Sequence, residues 1–219
     1  MTDPRFVVVG FPPWRELRPR LPRFVGGILC LGPGIALTVD AGLGVSPFDV
    51  LHEGLAERTG LSFGTVVIAL GALILLAWIP LHQRFGIGTV LNTLFVGLLI
   101  DLWLWVLPEP DQLAWQWLML AGGIVVTSLG IGLYIGAGLG TGPRDGLMTA
   151  IAARGRPVWA VRTAIELTAL VLGWLLGGTA GIGTVLFALS IGPLGHFFLD
   201  RLHLRAPPDA DLGPGVTAE

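Results

Sequence analysis

The 219-residue chain is 53% hydrophobic and 13% charged, with a mean hydropathy of +0.77. That composition excludes an ordinary soluble domain and points to an integral membrane protein. A formal net charge of -2 gives no basis for nucleic-acid binding, and because all thirteen basic residues are arginine, Schiff-base or phosphate-loop lysine chemistry has no residue to use. Cys30 is the single cysteine, which rules out disulfides within the chain and cysteine-based metal sites.

Residues 1–23 carry Arg5, Arg15, Arg18, Arg20 and Arg23 with five prolines, and read as a basic cytoplasmic tail. Weakly charged apolar stretches follow at 24–39, 62–80, 85–107, 114–136, 157–177 and 182–199. Most approach the roughly 20 residues that a ~30 Å hydrocarbon layer requires. The first lacks a small-residue cleavage site after it and reads as a retained span. Residues 203–219, acidic and rich in Pro and Gly, read as a disordered cytoplasmic tail.

One phrase occurs twice: "AGLGVSPFDVL" at 41–51 and "AGLGTGPRDGL" at 137–147, with seven of eleven positions identical at an offset of 96. Extended back to Gly26, the match holds 13 identities in 26 positions, including Gly26, Gly27, Ile28, Gly34, Ile35 and Leu37. Trp78 still aligns with Trp174, and after a one-residue slip "GIGTVL" at 86–91 recurs at 181–186. The chain therefore divides into two copies of one unit, 24–107 and 120–202, with 108–119 as an external loop and the start of the fourth span.

With six spans, eleven arginines fall on the cytoplasmic side, Arg58 outside and Arg162 within a span. Three spans per unit invert the second copy relative to the first, a recurrent plan of secondary transporters. Eight crossings would leave ten arginines inside and two outside, so charge does not separate the alternatives. Length favours six. A helix over 47–59 would be only about 20 Å long, and it carries His52, Glu53, Glu57 and Arg58. The expected fold class is an all-α integral membrane protein with about six transmembrane helices plus two short broken or re-entrant ones, built as two inverted repeats.

The repeated phrase has the chemistry of a helix break and restart. Gly42 and Gly44, then Gly138 and Gly140, let the chain turn sharply. Ser46 is placed to cap, Pro47 suits the first helical position and Asp49 the third; Pro143 and Asp145 repeat this with Gly142 at the cap. On one reading the aspartates only cap short helices. On the other, the broken helices expose backbone groups to a cavity that holds a solute.

Other polar residues break the symmetry. Arg144 aligns with Phe48, Arg162 and Glu166 with Val66 and Leu70, Asn92 with Phe187, and Asp101 with His196. Arg162 and Glu166, one turn apart, can pair. Asp101 and His196 near span ends are the remaining proton-relay candidates, although interfacial hydration explains them too. Paired small residues, among them Gly26, Gly27, Gly122 and Gly123, suit close helix packing, and the tryptophans at 103, 105, 115 and 117 suit an external aromatic belt. No catalytic or metal motif is legible, so no enzyme activity, cofactor or metal is expected.

The "GLG[VT]xPxD" phrase after a Gly-rich first span, the later "GIGT" and the chain length resemble the YczE/YyaS/YitT group of small bacterial integral membrane proteins. That resemblance implies an inner-membrane location and nearly whole-chain coverage apart from the tails, with little about substrate. It carries over Gly42, Gly44, Pro47 and Asp49, and Gly138, Gly140, Pro143 and Asp145. Two functions remain open: a small secondary transporter or exporter of a solute, with the arginine beside the second helix start favouring an anionic one, or a non-transporting accessory protein for a membrane-associated enzyme or assembly. The expected partners are the lipid bilayer and a small-molecule substrate, with a homo-oligomer left open.

Overall fold

The computed structural model describes residues 14–81, 86–108 and 110–202, and the described residues form eight α-helices with no β-strand. Arg5, the loop residue Arg84 and the 203–219 tail lie outside the described residues. In chain order the helices are α1 (Trp14–Asp40), α2 (Pro47–Thr59), α3 (Phe63–Leu81), α4 (Ile87–Val106), α5 (Leu113–Gly136), α6 (Pro143–Ala152), α7 (Val158–Leu175) and α8 (Ile182–Leu202). Six of them are long and apolar enough to cross a membrane; α2 and α6 are not. Gly60, left-handed at φ 71°, ends α2 and returns its N–H to the Ala56 carbonyl.

The first helix differs from the expected boundary. It begins at Trp14, inside the segment read as a tail. Arg23 there donates from Nη1 to the carbonyl of Leu202 at 2.8 Å, satisfying the last turn of α8.

The centre of the molecule is the antiparallel pair α1 and α5. A Cβ on Gly27 would meet the Gly130 carbonyl oxygen at 2.9 Å, and one on Gly123 would meet that of Gly34 at 2.7 Å. Gly27 aligns with Gly123 and Gly34 with Gly130, so the contacts are reciprocal. Lipid removes the hydrophobic drive between helices, and close backbone approach through small residues replaces it. Gly26 and Gly122 take no part: Gly122 faces open space and Gly26 only the tip of Leu133.

The "GLG" and "GIGT" motifs meet across the halves. Gly88 donates its N–H to the Leu139 carbonyl at 3.0 Å, and its counterpart Gly183 donates to that of Leu43 at 2.8 Å. Each helix break therefore seats on the start of the last helix of the other half. The other contacts also come in pairs: within each half α1 with α4 and α5 with α8, and across the halves α2 with α7 and α6 with α3. One pair is unequal, since α3 packs along α4 while α7 and α8 barely meet.

Outward faces of the long helices expose Leu73, Leu76, Leu98, Leu102, Leu189 and Phe197, as lipid contact demands. Trp105 and Trp115 are exposed at the end of α4 and the start of α5, while Trp14 and Trp159 are exposed at the starts of α1 and α7.

A six-crossing arrangement has a simple consequence for labelling. In a Cys30→Ser background, Gln112→Cys should react with an impermeant thiol reagent on intact cells, and Arg154→Cys should react only after permeabilisation. Protection of Gln112→Cys would mean eight crossings.

Candidate functional site

The breaks set the site's position. Gly42 and Gly44 have φ of 65° and 104°, Gly138 and Gly140 of 65° and 130°, a region that L side chains rarely enter. A Cβ on Gly44 would also strike Gly181, and one on Gly140 would strike Thr89. These glycines do not line the cavity described below. They let two short helices start side by side within the protein.

At the start of α2 the Ser46 oxygen accepts from the Asp49 N–H at 3.2 Å, and its hydroxyl donates to the Asp49 carboxylate. His52 Nδ1 lies 2.9 Å from the other carboxylate oxygen. Asp49 thus takes the serine hydroxyl and the histidine ring. Both carboxylate oxygens are occupied.

At the start of α6 the cap is Gly142, which has no side chain to offer. Tyr134 of α5 supplies the missing oxygen: its hydroxyl accepts from the Gly142 N–H at 3.3 Å and donates to Asp145 Oδ2 at 2.8 Å. Sequence reasoning missed Tyr134, which aligns with Thr38. The signal was available, because a buried cap without a side chain requires an acceptor from elsewhere.

Arg144, next to Asp145, reaches Glu166 of α7, with Nη2 2.9 Å from Oε1. Arg162 Nε contacts the same oxygen at 3.3 Å. The expected Arg162–Glu166 pair is therefore one arm of a three-residue cluster. The Arg144 guanidinium also stands 5.2 Å from the centroid of the Phe48 ring, within cation–π range.

Ser46, Asp49, Pro143, Arg144, Asp145 and Arg162 line one cavity of about 370 Å³. Asn92 of α4 and Thr127 of α5 join them, and aliphatic side chains such as Ile35, Ile131 and Ile191 form the remaining wall. Asn92 is 8% exposed, and among the described residues the buried hydroxyl of Thr127, itself 3% exposed, has no partner. Buried polar groups left open in this way, together with the remaining N–H groups of Arg144, are contacts waiting for a solute or water. A larger groove of about 660 Å³ lies against α7, but its lining is mainly apolar, from Phe48 and Leu51 to Val161 and Leu172, and suits lipid chains.

The two remaining candidates are placed apart. Asp101 accepts from the Ser62 hydroxyl and the Gly64 N–H, each at 2.6 Å, and so ties the end of α4 to the start of α3. It does not line the cavity. His196 does, on α8, exposed and 3.5 Å from Asp200. Neither is joined to the other, so the structure provides no relay between them.

Six spanning-length helices, five of which line a partly polar cavity, define a small multi-pass membrane protein. The chain belongs to the family described as "Family of unknown function (DUF6198)", whose model matches residues 19–200. It is 39% identical over 171 residues to an "Uncharacterized protein" of Haemophilus influenzae, covering 78% of each chain. It is 36% identical over 191 residues to "Uncharacterized membrane protein YczE" of Bacillus subtilis, covering 85% of this chain and 88% of that one. A third relative, "Uncharacterized protein YyaS" of Bacillus subtilis, is 34% identical over 178 residues, 79% of this chain and 89% of the relative. These relatives place it in the YczE/YyaS group of bacterial membrane proteins. No solved structure matches.

Proposed function

We propose that the protein is a small secondary transporter whose halves form an inverted repeat, with the solute held between the starts of α2 and α6. The observation that carries this reading is the cavity of about 370 Å³ that both repeated helix starts line, with Asn92 and, among the described residues, the unpartnered Thr127 hydroxyl inside it. Discontinuous helices near the bilayer midplane hold solutes in this way, offering polar groups where continuous helices have none. The reciprocal contacts of α1 with α5, and of each "GLG" with the other half's "GIGT", fit a two-fold axis in the membrane plane.

Arg144 beside the start of α6 favours an anionic group on the solute, a carboxylate above all. Asp145, with Oδ2 on Tyr134, adds an acceptor for a neighbouring donor. We assign the cavity no catalysis, because the hydroxyls set on carboxylates there, Ser46 on Asp49 and Tyr134 on Asp145, serve the starts of α2 and α6. With the N-terminus cytoplasmic, the protein resides in the bacterial inner membrane.

Liposomes containing only the purified protein test this directly, with radiolabelled monocarboxylates and amino acids on one side. Uptake is expected for a carboxylate-bearing solute, and Asn92→Ala, which opens no packed core, should reduce it by about tenfold, the loss of one buried contact of ~1.4 kcal/mol. Folded protein without flux for any such solute would remove the transport reading and favour an accessory role.

A further inference from the structure

Counterpart positions in the two halves are packed differently, at the start of α3 against α4 and along α7 and α8. A Cβ on Gly97 of α4 would fall against the Gly64 carbonyl and Ile68 of α3, and one on Gly64 would fall against the Gly97 carbonyl. The counterparts of Gly64 and Gly97 are Ala160 and Gly192. A Cβ on Gly192 would meet nothing within 4 Å. Asp101 latches α4 to Ser62 and Gly64; its counterpart His196 stays on α8 with Asp200, and the counterpart of Ser62, Val158, is 56% exposed. Gly192, Gly195, His196 and Leu199 line the cavity along α8, with Arg162 across from them on α7.

We infer that this is one of two states that exchange the conformations of the halves: α3–α4 closed with α7–α8 open here, and α7–α8 closed with α3–α4 open in the other. The inference rests on the transport reading of the cavity and adds its mechanism. A near-symmetric chain that adopts an asymmetric arrangement can approach the swapped one, with a looser closure where Ala160 replaces Gly64 and where Val158 and His196 cannot repeat the Ser62–Asp101 bond; inverted repeats expose a site to each side in turn in this way. With the N-terminus cytoplasmic, residues 192–199 of α8 and Arg162 of α7 lie on the cytoplasmic side. The present state therefore opens inward, and the Asp101 latch closes the outer side. Pro193, next to Gly192, leaves the Leu189 carbonyl without its helical N–H partner and gives α8 a place to bend.

The test pairs the latch with its counterpart in a Cys30→Ser background. Ser62→Cys with Asp101→Cys should join through a short bis-methanethiosulfonate reagent, as the structure already brings these residues together. Val158→Cys with His196→Cys should join as well, but only through closure of α8 on α7. Gly192→Leu, which the open state accommodates, should leave thermal stability at the parent's level while lowering Val158–His196 joining by roughly tenfold, because its side chain occupies the space closure needs. Joining of the first pair without the second would overturn the inference, as would joining of the second that persists in Gly192→Leu. The outcome is independent of the flux assay. Joining without flux removes the transport reading and keeps the two states; flux without joining keeps transport and removes this mechanism.

Discussion

Trp78→Ala is expected to destabilise the protein by ~3 kcal/mol, whereas Trp174→Ala, at the matching position of the other half, should change stability by less than ~0.5 kcal/mol. Trp78 is 1% exposed, while Trp174 is 64% exposed to the surroundings of α7. Trp78 lies against Gly146, where a Cβ would fall within its ring, and its Nε1 donates to the Pro143 carbonyl at 3.2 Å. The counterpart of Gly146 is Val50, which packs its backbone on Gly173. Large and small residues have thus exchanged sides between the two crossings, α3 on α6 and α2 on α7. The lower end of the usual tryptophan range applies because lipid, unlike water, gives little transfer free energy to lose; the cavity left behind remains. Gly146→Val should be as damaging as Trp78→Ala, by overpacking the same contact. Thermal unfolding of the four proteins in one detergent measures the contrast. Equal losses at the two tryptophans would mean that Trp174 is also covered in the membrane, by a second copy or another protein.

The sequence made the elements legible where the physics is local. Pro47 and Asp49, and Pro143 and Asp145, announce helix starts through a missing N–H and a favourable acid, and α2 and α6 begin at those prolines. Apolar length announced six spans. What stayed hidden depends on contacts between distant segments. Nothing in "GLG" or "GIGT" alone says that each is the other's seat across the halves, because close backbone approach leaves only a glycine as its trace. Arg144 looked free to face a ligand, since its partner Glu166 lies on another helix; the i to i+4 spacing pointed to Arg162 alone. Asp101 looked like an interfacial charge because its partners, Ser62 and the Gly64 N–H, belong to a helix start whose donors no local residue satisfies.

The charge cluster yields a prediction that local spacing would get wrong. Glu166 side-chain exposure is 16%, against 26% for Arg144 and 44% for Arg162, and both arginines use the same carboxylate oxygen. Glu166→Leu leaves two cations without a counter-charge, one of them largely enclosed. The expected loss is ~2 kcal/mol, below the 3–5 of a fully buried pair because water still reaches both guanidinium groups. Arg162→Met, at the exposed arm, should cost less than ~1 kcal/mol. If spacing alone governed, Arg162→Met would be the change that rescues Glu166→Leu. The observed geometry assigns the rescue to Arg144→Met instead, since that substitution removes the less exposed of the two cations. The double variant Arg144→Met/Glu166→Leu should regain about half of the ~2 kcal/mol, and Arg162→Met/Glu166→Leu little of it, a coupling that a double-mutant cycle on thermal unfolding reads directly. The rescued protein should still bind no anionic solute, because the Arg144 N–H groups that face the cavity are gone. Equal rescue by either arginine would mean that Arg144 is solvated as freely as Arg162, and the anionic reading of the site would lose its main support.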